Sequence, residues 1–265
     1  MASALVSASA GCAPQTLVTD DASELPRIVS LNPCLDAILV EVAEPEQILA
    51  LSHYSADPAA SSISRDVARR YDVTGGTVEE VIALEPDIVV ASTFMAPATR
   101  AAFDELGVRV ESFGSPTTVE GSITQVAQLA ELAGRADAGL KLAETIAGSM
   151  AGSDGDTAKS AVLWQPGGIV PGETQLVSEL LRKAGFTSHS QALGLGQADY
   201  LSLEQVLAEP PDVLLVAGNS RAQAHPALAA SGTVIAQFDP SLIYCGGPTI
   251  PRAMTRLREI REGLS

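Results

Sequence analysis

Hydrophobic residues along this chain alternate between short continuous runs and stretches with helical spacing. The run "RIVSL" (27–31) reads as a β-strand and breaks at "NPC", a turn signal with proline. Asp36 then opens an expected helix, "DAILVEVA", where a carboxylate suits the positive N-terminus. "QILALSHYS" reads as the next strand, "SISRDVARRY" as a short helix and "VTGG" as a loop. "DIVVAS" is apolar throughout, the pattern of a parallel strand buried on both faces. "APATRAAFDELG" follows as a helix with Gly107 as its C-cap, and "VRVESF" as another strand.

Residues 119 to about 152 carry helical spacing with no strand and a joint near Gly134. "AGSDGD" then marks a polar, glycine-rich boundary. After it the alternation resumes with strand "SAVLW", loop "QPGGIVPGE", helix "TQLVSELLRKAG" and a loop rich in Gly and Gln. Strand "TVIAQF" and a last helix from about Pro251 close the chain. Strands alternating with helices predict an α/β layer structure with mainly parallel sheets.

One unit occurs twice. "TVEEVIALEPDIVVA" (77–91) reappears as "SLEQVLAEPPDVLLV" (202–216) at a constant offset of 125. Glu79 pairs with Glu204, Pro86 with Pro211 and Asp87 with Asp212. Thr77 is an N-cap and Glu80 stands three residues on, so the two are expected to form a capping box. Pro86 stops the helix, because the residue before proline avoids the helical region. Two copies of one supersecondary unit imply two similar lobes. The division expected is a signal or linker segment over 1–24, an N-terminal lobe over 25–134, a backbone helix over 135–152 and a C-terminal lobe over 153–265.

A chain of 265 residues is long enough for two cores. Its net charge of −16 argues against nucleic acid, since phosphate binding needs a basic face. No stretch reaches the roughly 20 apolar residues that span a bilayer. The N-terminus, "MASALVSASAGCAPQ", looks like the end of a secretory signal without its basic region. Ala8-Ser9-Ala10 fits a cleavage site, and Ser9-Ala10-Gly11-Cys12 is similar to a lipobox, which would anchor the chain through Cys12. Cys34 and Cys245 remain, and in an exported protein this pair permits one disulfide; two buried thiols are the alternative.

Taken together, "RIVSLNPCLDAI", "ALSHYSADPA", "GTVEEVIALEPDIVVAS", "AGRADAGLKLAETI", "GGIVPGETQLVSELLRKAG" and "YLSLEQVLAEPPDVLLVAG" resemble the periplasmic solute-binding proteins of ABC importers for cobalamin, haem and iron–siderophores. The resemblance covers the chain from residue 27 on. It implies two Rossmann-like α/β lobes joined by one long backbone helix, with the ligand in the cleft between them. It also implies a monomer, a periplasmic location and a partner permease in the inner membrane. In cobalamin-binding members a tyrosine of an "S-x-Y-S-x-x-P" stretch lines the cleft; "SHYSADP" places Tyr54 there. An exposed glutamate on each lobe docks onto the permease, and the match carries over to Glu79 and Glu204. Val73 and Ser92 stand where those members would gain from aromatics.

Parallel sheets bind ligands beyond the carboxyl ends of their strands. The loops expected there hold Asn32, His53, Tyr54, Phe94, Trp164, Gln165 and Tyr244, with Tyr200 nearby. Trp164, which ends a strand, is expected either to stack on a macrocycle or to fill the core between the lobes. Arginines that would meet an anionic siderophore are scarce, with Arg221 and Arg252 the available ones. No two of His53, His189 and His225 have metal-ligand spacing, and no catalytic elbow, Walker loop or zinc-protease motif occurs. His53 could serve as a weak axial ligand to a haem or cobalt centre. The expectation is therefore a binding protein, not an enzyme, with no resident cofactor or metal. Its cargo is a metal chelate, cobalamin ahead of an iron–siderophore or haem; a non-transporting sensor on the same fold is the rival reading.

Overall fold

The computed structural model describes residues 25–151 and 159–264. The expected signal, the lipobox at Cys12 and most of "AGSDGD" lie outside the described residues. Five strands, β1 (Ile28–Ser30), β2 (Ile48–Ser52), β3 (Val73–Thr74), β4 (Ile88–Ser92) and β5 (Val110–Phe113), form a parallel sheet in the order β3-β2-β1-β4-β5. The second half contributes β6 (Lys159–Trp164), β7 (Ile169–Pro171), β8 (Phe186–Ser188), β9 (Ala198–Tyr200), β10 (Val213–Val216) and β11 (Val234–Gln237). There, β11-β10-β6-β8 form a second parallel sheet, and β7 pairs with β9 as an antiparallel ribbon.

The repeat explains this symmetry. Its strand is β4 in one sheet and β10 in the other, and each lies beside the first strand of its own sheet, β1 or β6. Winding reverses at these two pairs, so each sheet has its switch-point crevice at their carboxyl ends. Residues 88–91 and 213–216 are all buried, as an apolar run flanked by strands and helices must be. The helices before them, Val78–Ile82 and Leu203–Ala208, are capped by Thr77 and Ser202. Only the second copy completes the capping box: Gln205 Oε1 accepts from Ser202 N at 2.8 Å, and Ser202 Oγ accepts from Gln205 N at 3.2 Å. In the first copy Thr77 Oγ1 accepts from Glu80 N, but the Glu80 carboxylate reaches back past the N-cap. It takes Thr74 Oγ1 at 2.9 Å and Gly75 N at 2.7 Å, so the expected box is half formed.

Two helices, Val119–Leu132 and Ala136–Ser149, link the sheets. Gly134 separates them at φ +69°, a left-handed position that suits glycine. Helix Ala136–Ser149 packs on helices Val119–Leu132, Pro33–Val42 and Thr249–Glu262. One apolar core runs through both halves, from Ile28, Leu39 and Val126 to Leu163, Leu215 and Leu257.

Several local expectations need correcting. The first helix begins at Pro33, not Asp36; Asn32 is its N-cap, and its Oδ1 accepts from Cys34 N and Leu35 N. The strand read through Ser55 ends at Ser52, where residues 53–56 form a 3₁₀ turn. "VTGG" contains β3, the helix in "SISRDVARRY" covers only Arg65–Ala68, and the two glycine-rich loops hold β7 and β9. That ribbon needs glycine at 172, because a Cβ there would collide with the backbone of Gln197.

Candidate functional site

The strands of the first sheet deliver their following loops to one face. Asn32 follows β1, His53 and Tyr54 follow β2, Gly75 follows β3, and Phe94 and Met95 follow β4. Together they line an open hollow of about 610 Å³. Tyr54 is 50% exposed there, with its ring centroid 4.1 Å from that of His53; Phe94 is 83% exposed. Large aromatic faces left in water beside a hollow are unusual unless something covers them.

A second cavity, of about 250 Å³, lies between the halves. Asn32, Cys34, Phe113, Gly114–Pro116 and Gln125 come from one side. Gln165, Ile169, Gln175, Leu176 and Tyr244 come from the other. Asn32 lines both spaces. Cys34 and Cys245 are joined by a disulfide across this cavity, with Cα atoms 5.1 Å apart. The link fastens the first turn of the helix after β1 to the loop that carries Tyr244. Burial raises the Tyr244 hydroxyl above the usual phenol value, and Asp239 and Asp57 add to the effect.

The geometry brings Asn32, Tyr54, Phe94, Gln165 and Tyr244 onto these walls, but not all the expected residues. Trp164 is 1% exposed, and its Nε1 donates to Leu201 O at 2.9 Å. It fills the core with Val162, Val206 and Leu214 and offers no face to a ligand, so of the two roles expected for it the stacking one is set aside and the ring sits in the second-half core. Tyr200 is exposed on β9 over Gly168 and lines neither space. Arg221 and Arg252 line neither space as well; Arg252 Nη1 donates to Ser62 O at 3.1 Å. Val73 is exposed on β3, and Ser92 lines the larger hollow. Burial lowers the His189 pKa although the hydrogen bond between its ring and Glu209 O opposes this, and His225 Nδ1 caps a helix by accepting from Ala227 N. Among the described residues no cluster of three or more His, Cys, Asp or Glu could hold a metal.

Sequence reasoning missed Gly114–Pro116, Gln125 and Gln175. The first three follow β5, so the same strand-end rule would have found them. Gln125 and Gln175 sit in or beside helices, where no local signal marks them.

Glu79 and Glu204 are exposed at equivalent places, two residues after each N-cap. The Glu204 carboxyl lies below its usual range, chiefly through its own backbone N–H and then Ser202.

A family model described as "Periplasmic binding protein" matches residues 28–237. The chain belongs to that family. Periplasmic binding proteins of this kind serve transport systems rather than catalysis. A cobalamin-binding protein of Halobacterium salinarum is 26% identical over 218 residues, covering 77% of this chain and 56% of its own length. The chain thus spans about half the length of the curated relatives it matches. The periplasmic heme-binding protein RhuT from Roseiflexus sp. RS-1 superposes with a TM-score of 0.72 at 19% identity, over 89% of this chain and 97% of that one. The vitamin B12-binding protein BtuF of Vibrio cholerae gives 0.69 at 17% identity, over 90% and 97%. These likenesses establish the two-lobed fold. No helix among the described residues is long and apolar enough to cross a membrane.

Proposed function

We propose that this periplasmic binding protein captures a corrinoid, cobalamin first among them, in the cleft between its lobes and delivers it to an ABC importer permease. The observation that carries the reading is the chemistry of the walls. The residues lining the first-half hollow and the cavity between the halves include Tyr54, Phe94 and Tyr244, several amides and hydroxyls, and no Lys, Arg, Asp or Glu. A macrocycle whose rim bears neutral amides matches aromatic faces and side-chain amides without a counter-charge. Haem carboxylates or an anionic siderophore would bury charge against these walls, and the cation of the adjoining hollow, Arg109, is already paired with Glu111. The relative described as a cobalamin-binding protein supports the same class.

Delivery would use Glu79 and Glu204, one on each lobe, as carboxylates for permease arginines. The export signal and any lipid on Cys12 belong to the same reading. Calorimetric titration with cyanocobalamin, haemin and a ferric siderophore tests it. Cyanocobalamin should bind tightest. Tighter binding of haemin, with an absorption shift lost in His53→Ala, would replace it with a haem carrier.

A further inference from the structure

The turn that presents Tyr54 is held from beneath by a carboxyl group the cleft never touches. Asp36, in the helix after β1, is 0% exposed. Its Oδ2 accepts from Ser52 N at 3.0 Å and from Ser55 Oγ at 2.6 Å. Ser52 ends β2 and Ser55 lies in the 3₁₀ turn, so one oxygen grips both sides of His53 and Tyr54. The other oxygen, Oδ1, has no partner, and neither has the buried Ser52 Oγ. A buried acceptor left open is costly, and a buried charge left open more so. The groups that act on Asp36 are the hydroxyls of Ser30 on β1, Ser52 on β2 and Ser55 on the turn, with the Ser52 N–H; no charged side chain is among them.

We propose that Asp36 is a proton-dependent positioning residue for the Tyr54 wall of the cleft. As the acid, it can donate from Oδ1 to a neighbouring serine hydroxyl while Oδ2 keeps both of its bonds, and the turn is held. As the carboxylate, it is a buried charge held by serine hydroxyls and one N–H with no cation beside it, and loosening of the turn relieves this by admitting water. Ligand affinity then falls as the proton leaves. Burial pushes the Asp36 pKa up to about 7, which places the change near neutrality. The affinity part rests on the proposed ligand; the behaviour of the turn does not.

His53 is a second titratable group on the turn, so His53→Gln serves as a common background. Backbone amide shifts of residues 53–56 are followed by NMR from about pH 5.5 to about pH 8.5 in that background, with and without D36N. The parent should show one sigmoidal change near neutrality, and D36N none. Cyanocobalamin should bind the parent about fivefold more weakly at the upper pH, while D36N keeps the tighter value throughout. Flat amide shifts in the parent, or the same midpoint in D36N, would overturn the proposal. If cyanocobalamin binds neither of these proteins nor wild type, the ligand assignment fails and the amide titration alone decides the role of Asp36. Should D36N not fold, Ser55→Ala must shrink the parent's pH-dependent amide change, and an undiminished change would overturn it.

Discussion

Asp212 Oδ2 accepts the backbone N–H of Ser160 at 2.8 Å, and 125 positions earlier Asp87 Oδ2 accepts that of Arg27 at 2.7 Å. In each lobe the aspartate of the repeated unit thus ties the start of its strand to the start of the lobe's first strand. Arg27 Nη2 also donates to Leu84 O, and Lys159 lies 3.5 Å from Asp212. The repeated Pro-Asp is a device for starting a parallel pair in register.

Replacing either aspartate by alanine strips the acceptor from that N–H. Each variant should lose about 1–2 kcal/mol, read as a lower urea midpoint with an unchanged slope. The N–H of Ser160, more than Lys159, depresses the Asp212 pKa, so its contribution is present above the ordinary aspartate value. It is lost as the pH falls through the depressed value. The gap between wild type and Asp212→Ala should therefore close in acid. A gap that persists when all carboxylates are protonated would show that the loss has another origin.

Trp164 and Tyr54 should behave in opposite ways. Trp164→Phe leaves the carbonyl of Leu201 without its donor inside the second-lobe core, which should cost about 1–3 kcal/mol of stability and leave cyanocobalamin affinity nearly unchanged. Tyr54→Ala removes an exposed face, so stability should hold while affinity drops about tenfold. Calorimetry and thermal unfolding on both variants check the pair. Equal loss of affinity would return Trp164 to the ligand wall.

The contrast between these two aromatics shows what the chain makes legible. "IVVA" and "VLLV" announce buried parallel strands because every position is apolar. Loops at strand ends locate Asn32, Tyr54, Phe94 and Tyr244 for the same reason. Trp164 also ends a strand, but its partner Leu201 is 37 residues away, and only tertiary packing reveals that the ring points inward. Asp36 reads as a first-turn helix carboxylate because the serines that receive it are 16 and 19 residues on. β3, β7 and β9 are two or three residues long and take their conformation from their neighbours. Cysteine parity singles out Cys34 and Cys245, but their approach depends on how the lobes meet.

The Cys34–Cys245 link closes a loop of 211 residues and joins two walls of the cleft. In the chain-entropy model, removing it costs about 5 kcal/mol by freeing the unfolded chain. Cys34→Ser should accordingly unfold at lower temperature than wild type, and reducing the wild type should reproduce the effect. A non-reducing mass two hydrogens heavier than the bonded chain would rule out the link.

Glu79→Ala with Glu204→Ala removes a charge at the same helix position on each lobe. Both carboxylates are exposed, so the helices would lose only a solvent-screened macrodipole contact, too little to unfold the protein. Transport of cyanocobalamin by cells should fall at least about tenfold while its affinity for the isolated protein stays the same, because desolvated carboxylate–arginine pairs are worth several tenfold steps. Affinity that falls in step with uptake would place these glutamates in binding, not docking.

The buried carboxyl of Asp36 makes stability itself depend on pH. Its folded pKa, about 7, lies above the ordinary 3.8. Between those values the folded chain binds a proton that the unfolded chain has released, so stability falls as pH rises through the window. Its contribution is whole below 3.8 and gone above about 7. Asparagine keeps the shape and an acceptor for Ser52 and Ser55 but has no proton to lose. The thermal midpoint of D36N minus that of wild type should therefore grow from about pH 4 to about pH 7.5 and then level off. An increase on the order of 2 kcal/mol corresponds to about 4–8 °C in a chain of this size. A difference that stays constant across the range would mean that Asp36 keeps one charge state in both the folded and unfolded chains.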